Sequence, residues 1–322
     1  MKFFLSCDWG TSTFRLRLID AATKTVLSQI KTDNGIANIF ECWKQTNQHE
    51  NNRLSFYKKY LFEQVEKIAA TFPQSLDHTP IMISGMASSS IGMIEVPYKE
   101  LPFNCDGSDL ITHTIKAEKE NELYDIIMIS GVRSQTDVMR GEETILAGCS
   151  ISTTDTQQYF ILPGTHSKHI LVNNGIAQNI STYITGELFD LLSNKSILSA
   201  SVKKNDLEDP NVDLFFVDGV IEGASSNILN SIFRVRINHL FKKATAQQNY
   251  QYLSGLLIGH ELKETTKNKP SLITLVCGET LKKYYLQALT VLGLNDNLDC
   301  KNADEALING QWKVMQQAGY FL

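Results

Sequence analysis

One short stretch, TDVMRGEET at 136–144, gathers more reactive side chains than any other part of the chain. Asp137 could take a proton from a hydroxyl, and Arg140 carries a planar fork that can hold a carboxylate bidentately. Glu142 and Glu143 could bond sugar hydroxyls or orient the arginine. The stretch follows a buried strand and is expected to open a helix. Simple capping by Asp137, worth about 1 kcal/mol, accounts for that residue equally well.

A second kind of chemistry is written into two turns. In FFLSCDWGTSTFRLRLID an apolar strand breaks at Asp8, passes through Gly10, Thr11, Ser12 and Thr13, and resumes as an alternating strand. Gly10 permits close approach to a ligand, and the three hydroxyls add to a row of amide N–H groups that can cradle phosphate. A carboxylate beside a phosphate repels it unless a divalent cation lies between them, so Asp8 points to a magnesium nucleotide. An ordinary hairpin with a solvated Asp has the same pattern. About half the chain later, YFILPGTHSKHILV repeats strand, turn and strand, with Gly164, Thr165, His166 and Ser167 matching the first turn as G-T-x-[ST]. Lys168 next to it could pair with a phosphate. A diverged duplication explains the recurrence.

Two further places are thinner. Gly85, Ser88 and Ser89 follow a strand ending at Ser84, at the carboxyl end of a sheet where ligands of α/β proteins bind. A flexible loop would read alike. Gly278 and Glu279 stand where an apolar strand turns into a helix, a crossing that allows a base or sugar to come close but is common in α/β proteins. There is no zinc spacing of His and Cys, no GxSxG elbow and no classical P-loop.

The elements that must position these residues are legible from periodicity. Strands are expected at 3–7, 14–19, 26–31, 80–84, 126–130, 159–162, 168–172, 175–180 and 272–277. Helical spacing marks 53–72, 186–193, 214–241, 252–263, 279–292 and 303–317. A chain of 322 residues exceeds the usual size of a single core, so two domains are expected. Lys and Arg total 30 against 35 Asp and Glu, without a dense basic run, which disfavours a nucleic-acid surface. Six scattered cysteines without a CxxC pair fit a reducing cytoplasm, and no segment is long enough to span a bilayer. The apolar start MKFFLSC is too short for a secretion signal.

The motifs DWGTSTFR, ISGMASSSIG with the following VPY, DVMRGEET, LPGTHSKH, TGELFDLL and SGLLIGHE, in that order, make the chain resemble the 2-dehydro-3-deoxygalactonokinase family along nearly its full length. The resemblance implies an α/β, two-domain actin-like ATPase fold (ribonuclease H-like) built by duplication, with a mixed central sheet in each domain. It implies ATP-dependent phosphorylation of 2-dehydro-3-deoxy-D-galactonate at its 6-hydroxyl. The family pattern has Gly where this chain has Ser88, Trp where it has Met93, Cys where it has Ser167 and Trp where it has His169. Related sugar kinases place an Asp at the start of the helix after the fifth strand, and Asp137 takes the like position.

The resulting expectation is an N-terminal domain over 1–155, joined by a C-terminal helix at 302–322, and a second domain over 156–301. Asp8 would hold Mg²⁺, and Gly10, Thr11, Ser12 and Thr13 with Gly164, Thr165, His166, Ser167 and Lys168 would embrace the phosphates of ATP from either side of a cleft. Gly278 and Glu279 would touch adenosine. Gly85, Ser88, Ser89, Arg140 and Glu143 would bind the sugar acid, with Asp137 as catalytic base and Glu142 as second choice. The partners are a small sugar acid and ATP, with neither nucleic acid nor membrane, and a homodimer is admissible. A kinase for another sugar or keto-deoxy acid, a non-catalytic sensor of the same fold and a phosphohydrolase are the alternatives.

Overall fold

A computed structural model describes residues 2–46, 52–119, 122–151, 157–204, 212–268 and 270–320. The chain forms two compact units, one of Met1–Ser152, Gly175–Asn179 and Ala303–Leu322, the other of Thr153–Asn174 and Ile180–Asn302. The expected domain boundary at 155 falls outside the described residues.

The first unit begins with a meander of β1 (Phe3–Trp9), β2 (Phe14–Asp20) and β3 (Val26–Thr32), followed by α1 (Ile36–Gln45) and α2 (Arg53–Ala69). Then come β4 (Ile81–Gly85), the two-residue strands β5 (Lys99–Glu100) and β6 (Phe103–Asn104), β7 (Thr112–Lys119) and β8 (Glu122–Ile129). A miniature hairpin of β9 (Val132–Arg133) and β10 (Val138–Met139) leads into α3 (Glu142–Gly148). Its main sheet has the order β3-β2-β1-β4-β8-β7, antiparallel within the meander and parallel from β1 to β4 to β8. Tyr57, Leu61, Val65 and Ile68 of α2 pack on Leu5, Cys7, Trp9 and Leu16, which gives this face its dry core.

The second unit repeats the plan with β11 (Gln158–Leu162), β12 (Ser167–Asn173), the later part of β13 (Ile176–Tyr183), whose residues up to Asn179 belong to the first unit, α4 (Thr185–Lys195), α5 (Val212–Ser225), α6 (Ile228–Leu240), α7 (Ala246–Asn268), β14 (Leu272–Cys277), α8 (Glu279–Val291) and β15 (Leu298–Asn302). This sheet has the order β15-β14-β11-β12-β13-β6, in which the short β6 pairs antiparallel with Ile176 and Ala177 of β13, and again the first strand of the meander runs parallel to its neighbour β14. Both sheets therefore show a three-strand antiparallel meander whose first strand continues into parallel strands. That shared order is the internal duplication expected of the actin-like ATPase fold.

The final helix, α9 (Ala303–Gln317), belongs to the first unit. Gln311 of α9 is fully buried and donates from Nε2 to the carbonyl of Cys7 at 3.0 Å and to Ser84 Oγ at 3.0 Å, tying β1 to β4 directly beneath the first turn. At its start, Asp304 pairs with Arg15 and lies 2.8 Å from the nearly buried Arg17. The acidic start of α9 is what makes the burial of Arg17 tolerable.

One expectation is corrected here. The apolar run at 214–241 is two helices, not one. It breaks at Ser226 and Asn227, where the Asn227 side chain accepts the Leu229 N–H at 3.0 Å and caps α6. Among the described residues no helix is long and apolar enough to cross a membrane.

Candidate active site

In the first unit the site is built where β1 and β4 end side by side, with Asp8 in register with Ser84 and Trp9 with Gly85. The turn after β1 is closed by Gly10 N–H donating to the Thr13 carbonyl at 2.9 Å, and its outer face presents Thr11, Ser12 and Thr13 to solvent. Behind it, Ile36 N–H at the start of α1 donates to the Gly10 carbonyl at 2.9 Å, so the turn has a backbone support.

Gly85 could not be another residue without strain. Its φ is 95°, and a Cβ there would stand 2.7 Å from the Trp9 carbonyl oxygen. The space this leaves is used by Gly141, whose own Cβ position is 3.4 Å from the Gly85 Cα. The DVMRGEET segment is thereby pressed against the ends of β1 and β4. Gly141 N–H donates to both oxygens of Glu143 at 2.9 and 2.8 Å, and Thr144 Oγ1 donates to the same carboxyl at 3.0 Å. Glu143 is completely buried, and burial, with the neighbouring Glu142 charge, pushes its pKa up to about 7. It is a carboxyl that shapes a turn, screened from solvent.

Arg140 is held rigidly. Its Nη1 donates to the Ser88 carbonyl and to Ser88 Oγ, both at 2.6 Å, while the guanidinium lies over the Tyr98 ring at 4.1 Å. Ser88 Oγ in turn donates to the Ile129 carbonyl at 2.8 Å, which leaves its lone pairs for the arginine. Arg140 Nε is buried and finds no hydrogen-bond partner among the described residues. Ser89 Oγ donates to the Met86 carbonyl at 2.7 Å. Tyr98, the platform beneath the arginine, is a functional candidate that side-chain chemistry alone did not single out.

Asp137 is not at a helix start. It lies in the turn between β9 and β10, where its N–H donates to Ser134 Oγ at 2.9 Å and its Oδ1 accepts the Val138 N–H at 2.7 Å. The helix opens five residues later at Glu142, with Gly141 as its cap, and Glu142 Oε2 accepts the Arg140 N–H at 3.0 Å. Asp8 is half-buried. Burial raises its pKa, Arg15 and Arg17 oppose the rise, and the charges of Asp304 and Glu142 add to it. Glu142 is thus close enough to act on the Asp8 carboxylate. Among the described residues no group of three or more His, Cys, Asp or Glu side chains could hold a metal ion by itself.

In the second unit the turn at 163–166 is fastened to the start of α4. Glu187 N–H donates to the Thr165 carbonyl at 3.0 Å, and the Glu187 carboxylate meets His166 Nε2 at 2.5 Å. Gly186 lets them approach, because a Cβ there would stand 2.6 Å from the Gly164 carbonyl oxygen. Thr165 and His166 are exposed, whereas Ser167 is fully buried and Lys168 is 5% exposed with its Nζ donating back to the His166 carbonyl at 3.0 Å. The turn therefore offers ligands its backbone and Thr165 more than Ser167 or Lys168.

Beside this turn lies a cavity of about 240 Å³ whose walls include Gly164, Thr185, Tyr250, Ser254, Leu281 and Tyr284. Gly278 and Glu279 are not among its lining residues. Gly278 caps α8, and the exposed Glu279 pairs with Lys282 at 3.2 Å. The first turn of α8 instead sends Thr280 and Leu281 to the wall.

Residues 8–314 match the family model for 2-keto-3-deoxy-galactonokinase. The chain is 30% identical over 317 residues to the Rhizobium meliloti (strain 1021) protein named "Probable 2-dehydro-3-deoxygalactonokinase DgoK1", covering 96% of this chain and 95% of that one. It is 31% identical over 225 residues to the 2-dehydro-3-deoxygalactonokinase of Escherichia coli (strain K12), covering 67% of this chain and 72% of the other. A solved structure titled "Crystal structure of a putative 2-dehydro-3-deoxygalactonokinase protein from Sinorhizobium meliloti" superposes with a TM-score of 0.79 at 28% identity over 99% of this chain and 100% of that one. With the family model matched over residues 8–314 and a relative 30% identical across 96% of the chain, the chain belongs to the 2-keto-3-deoxy-galactonokinase family.

Proposed function

We propose that the protein transfers the γ-phosphoryl group of ATP to the 6-hydroxyl of 2-dehydro-3-deoxy-D-galactonate, giving the 6-phosphate and ADP. The observation that carries this reading is the family match over residues 8–314, which includes every motif described above.

The roles follow from the chemistry of each group. The turn at 10–13 and the turn at 164–167 are each of the kind that holds phosphate mainly through backbone N–H groups. The cavity beside Gly164, walled by Tyr250, Leu281 and Tyr284, takes the nucleoside. Asp8 fits a magnesium ion, because Mg²⁺ needs only one or two carboxylates when phosphate oxygens and water complete its shell. When bound, that ion would neutralise charge on the transferring phosphates.

Arg140 binds the substrate carboxylate. Ser88 and Tyr98 fix its plane, and a buried Nε without a partner is a cost that an arriving acceptor would relieve. The proton of the attacking hydroxyl goes to Glu142, which takes the helix-start position expected of Asp137 and shares the electrostatic neighbourhood of Asp8. Asp137 is the second candidate.

An ADP-release assay with and without a panel of 2-keto-3-deoxy acids and simple hexoses tests the reading. Release that depends on 2-dehydro-3-deoxy-D-galactonate supports it. Preference for a hexose or phosphate release without an acceptor would replace it with a different activity, and no release at all would leave a non-catalytic binding protein.

A further inference from the structure

Ser167, His169, Thr185 and Tyr285 come from three elements of the second unit and converge on one buried carboxylate. Glu261 of α7 is only 2% exposed. Its Oε1 accepts from Ser167 Oγ at 2.7 Å and stands 2.9 Å from His169 Nε2, and its Oε2 accepts the Tyr285 hydroxyl at 2.8 Å. The Thr185 side chain adds a further hydrogen bond. Burial alone would push this carboxyl up, but the bonds from His169, Thr185 and Ser167 outweigh it and hold its pKa below the usual range.

A buried carboxylate is expensive unless every oxygen is satisfied, so such a network is rigid when complete. The donors are not scattered through the core. Ser167 ends the second phosphate turn, while Thr185 and Tyr285 line the adjoining cavity together with Gly164. Ile258 and Leu262, one helical turn or less away on α7, supply the apolar packing, so α7 does not need a carboxylate there for its burial.

We propose that Glu261 is a positioning residue for the nucleotide, locking the turn at 164–167 to the cavity walls formed by α4 and α8 so that the phosphate and nucleoside contacts hold one geometry. It is buried too completely to touch the nucleotide itself. The inference rests on ATP being the phosphoryl donor.

The test is Glu261→Gln, read by KM for ATP, KM for the keto acid, kcat, and ATP affinity by calorimetry. The expected result is a roughly tenfold loss of ATP affinity, the scale of one hydrogen bond to a charged group, with the keto-acid KM unchanged. Tyr285→Phe, which removes a single donor, should show a smaller loss in the same direction, and it carries the test if Glu261→Gln does not fold. A folded variant with unchanged ATP affinity, or one in which both KM values rise together, overturns the proposal. Calorimetry separates the two readings: a protein that binds ATP but does not phosphorylate the keto acid refutes the assigned reaction while still reporting on Glu261.

Discussion

Replacing Glu143 by Gln should flatten the fall of stability with pH that the natural residue imposes. Glu143 is fully buried, and its pKa rises from the ordinary 4.5 to about 7. Below the ordinary value both the folded and unfolded chains keep the proton. Above it the unfolded chain releases the proton and the folded one retains it, so stability falls as pH rises and levels off near the folded value. At about 1.4 kcal/mol per pKa unit, the penalty reaches about 3 kcal/mol above neutrality. Gln cannot ionise, although it accepts less well from Gly141 N–H, which adds an offset that does not vary with pH. Urea unfolding of both proteins at pH 5, 6, 7 and 8 isolates the effect, because the offset cancels in the slope. The stability difference should move in favour of the variant by about 2 to 3 kcal/mol across that range. A difference that stays constant with pH would mean that Glu143 is ionised in the fold, and the account of a neutral, turn-shaping carboxyl would be wrong.

Three further substitutions bear on other parts of the site. Arg140→Lys should raise the keto-acid KM about tenfold or more with the ATP KM unchanged in a steady-state assay, since an ammonium cannot reproduce a fork stacked on Tyr98. Gly85→Ala should cost about 3 kcal/mol, visible as a lowered unfolding midpoint, because φ is 95° and the new methyl would meet the Trp9 carbonyl. Glu142→Gln should lower kcat by about 10²-fold or more while ATP still binds, whereas Asp137→Asn should retain most of the turnover; the reverse ranking would return the base to Asp137.

The turns and their flanking strands were legible because Gly-Thr steps interrupt strong period-two patterns, and α9 was readable at both ends from its apolar stripe. Other elements hid for identifiable reasons. The edge strand β7, THTIKAEK, is mostly polar because it presents one face to solvent, and only its ladder with β8 reveals it. The α1 segment had a usable signal in Ile36, Ile39 and Trp43, the residues it buries. Asp137 was misplaced because β9 and β10 are two residues each, too short to leave a periodic trace, so the hairpin between strand and helix was invisible. Glu261 reads as an ordinary helical glutamate, and its partners Ser167 and His169 lie 94 and 92 residues away in the chain. Spacing can nominate a side chain, but not the carbonyl, ring or carboxylate that the fold brings to it.

The reaction itself is the most direct point of attack. Incubating the purified protein with ATP, Mg²⁺ and 2-dehydro-3-deoxy-D-galactonate, and locating the phosphate by NMR, should give ADP and a monoester at carbon 6 in equal amounts. Phosphate released to water, an ester at another carbon, or an unaltered keto acid beside intact ATP would contradict the assignment.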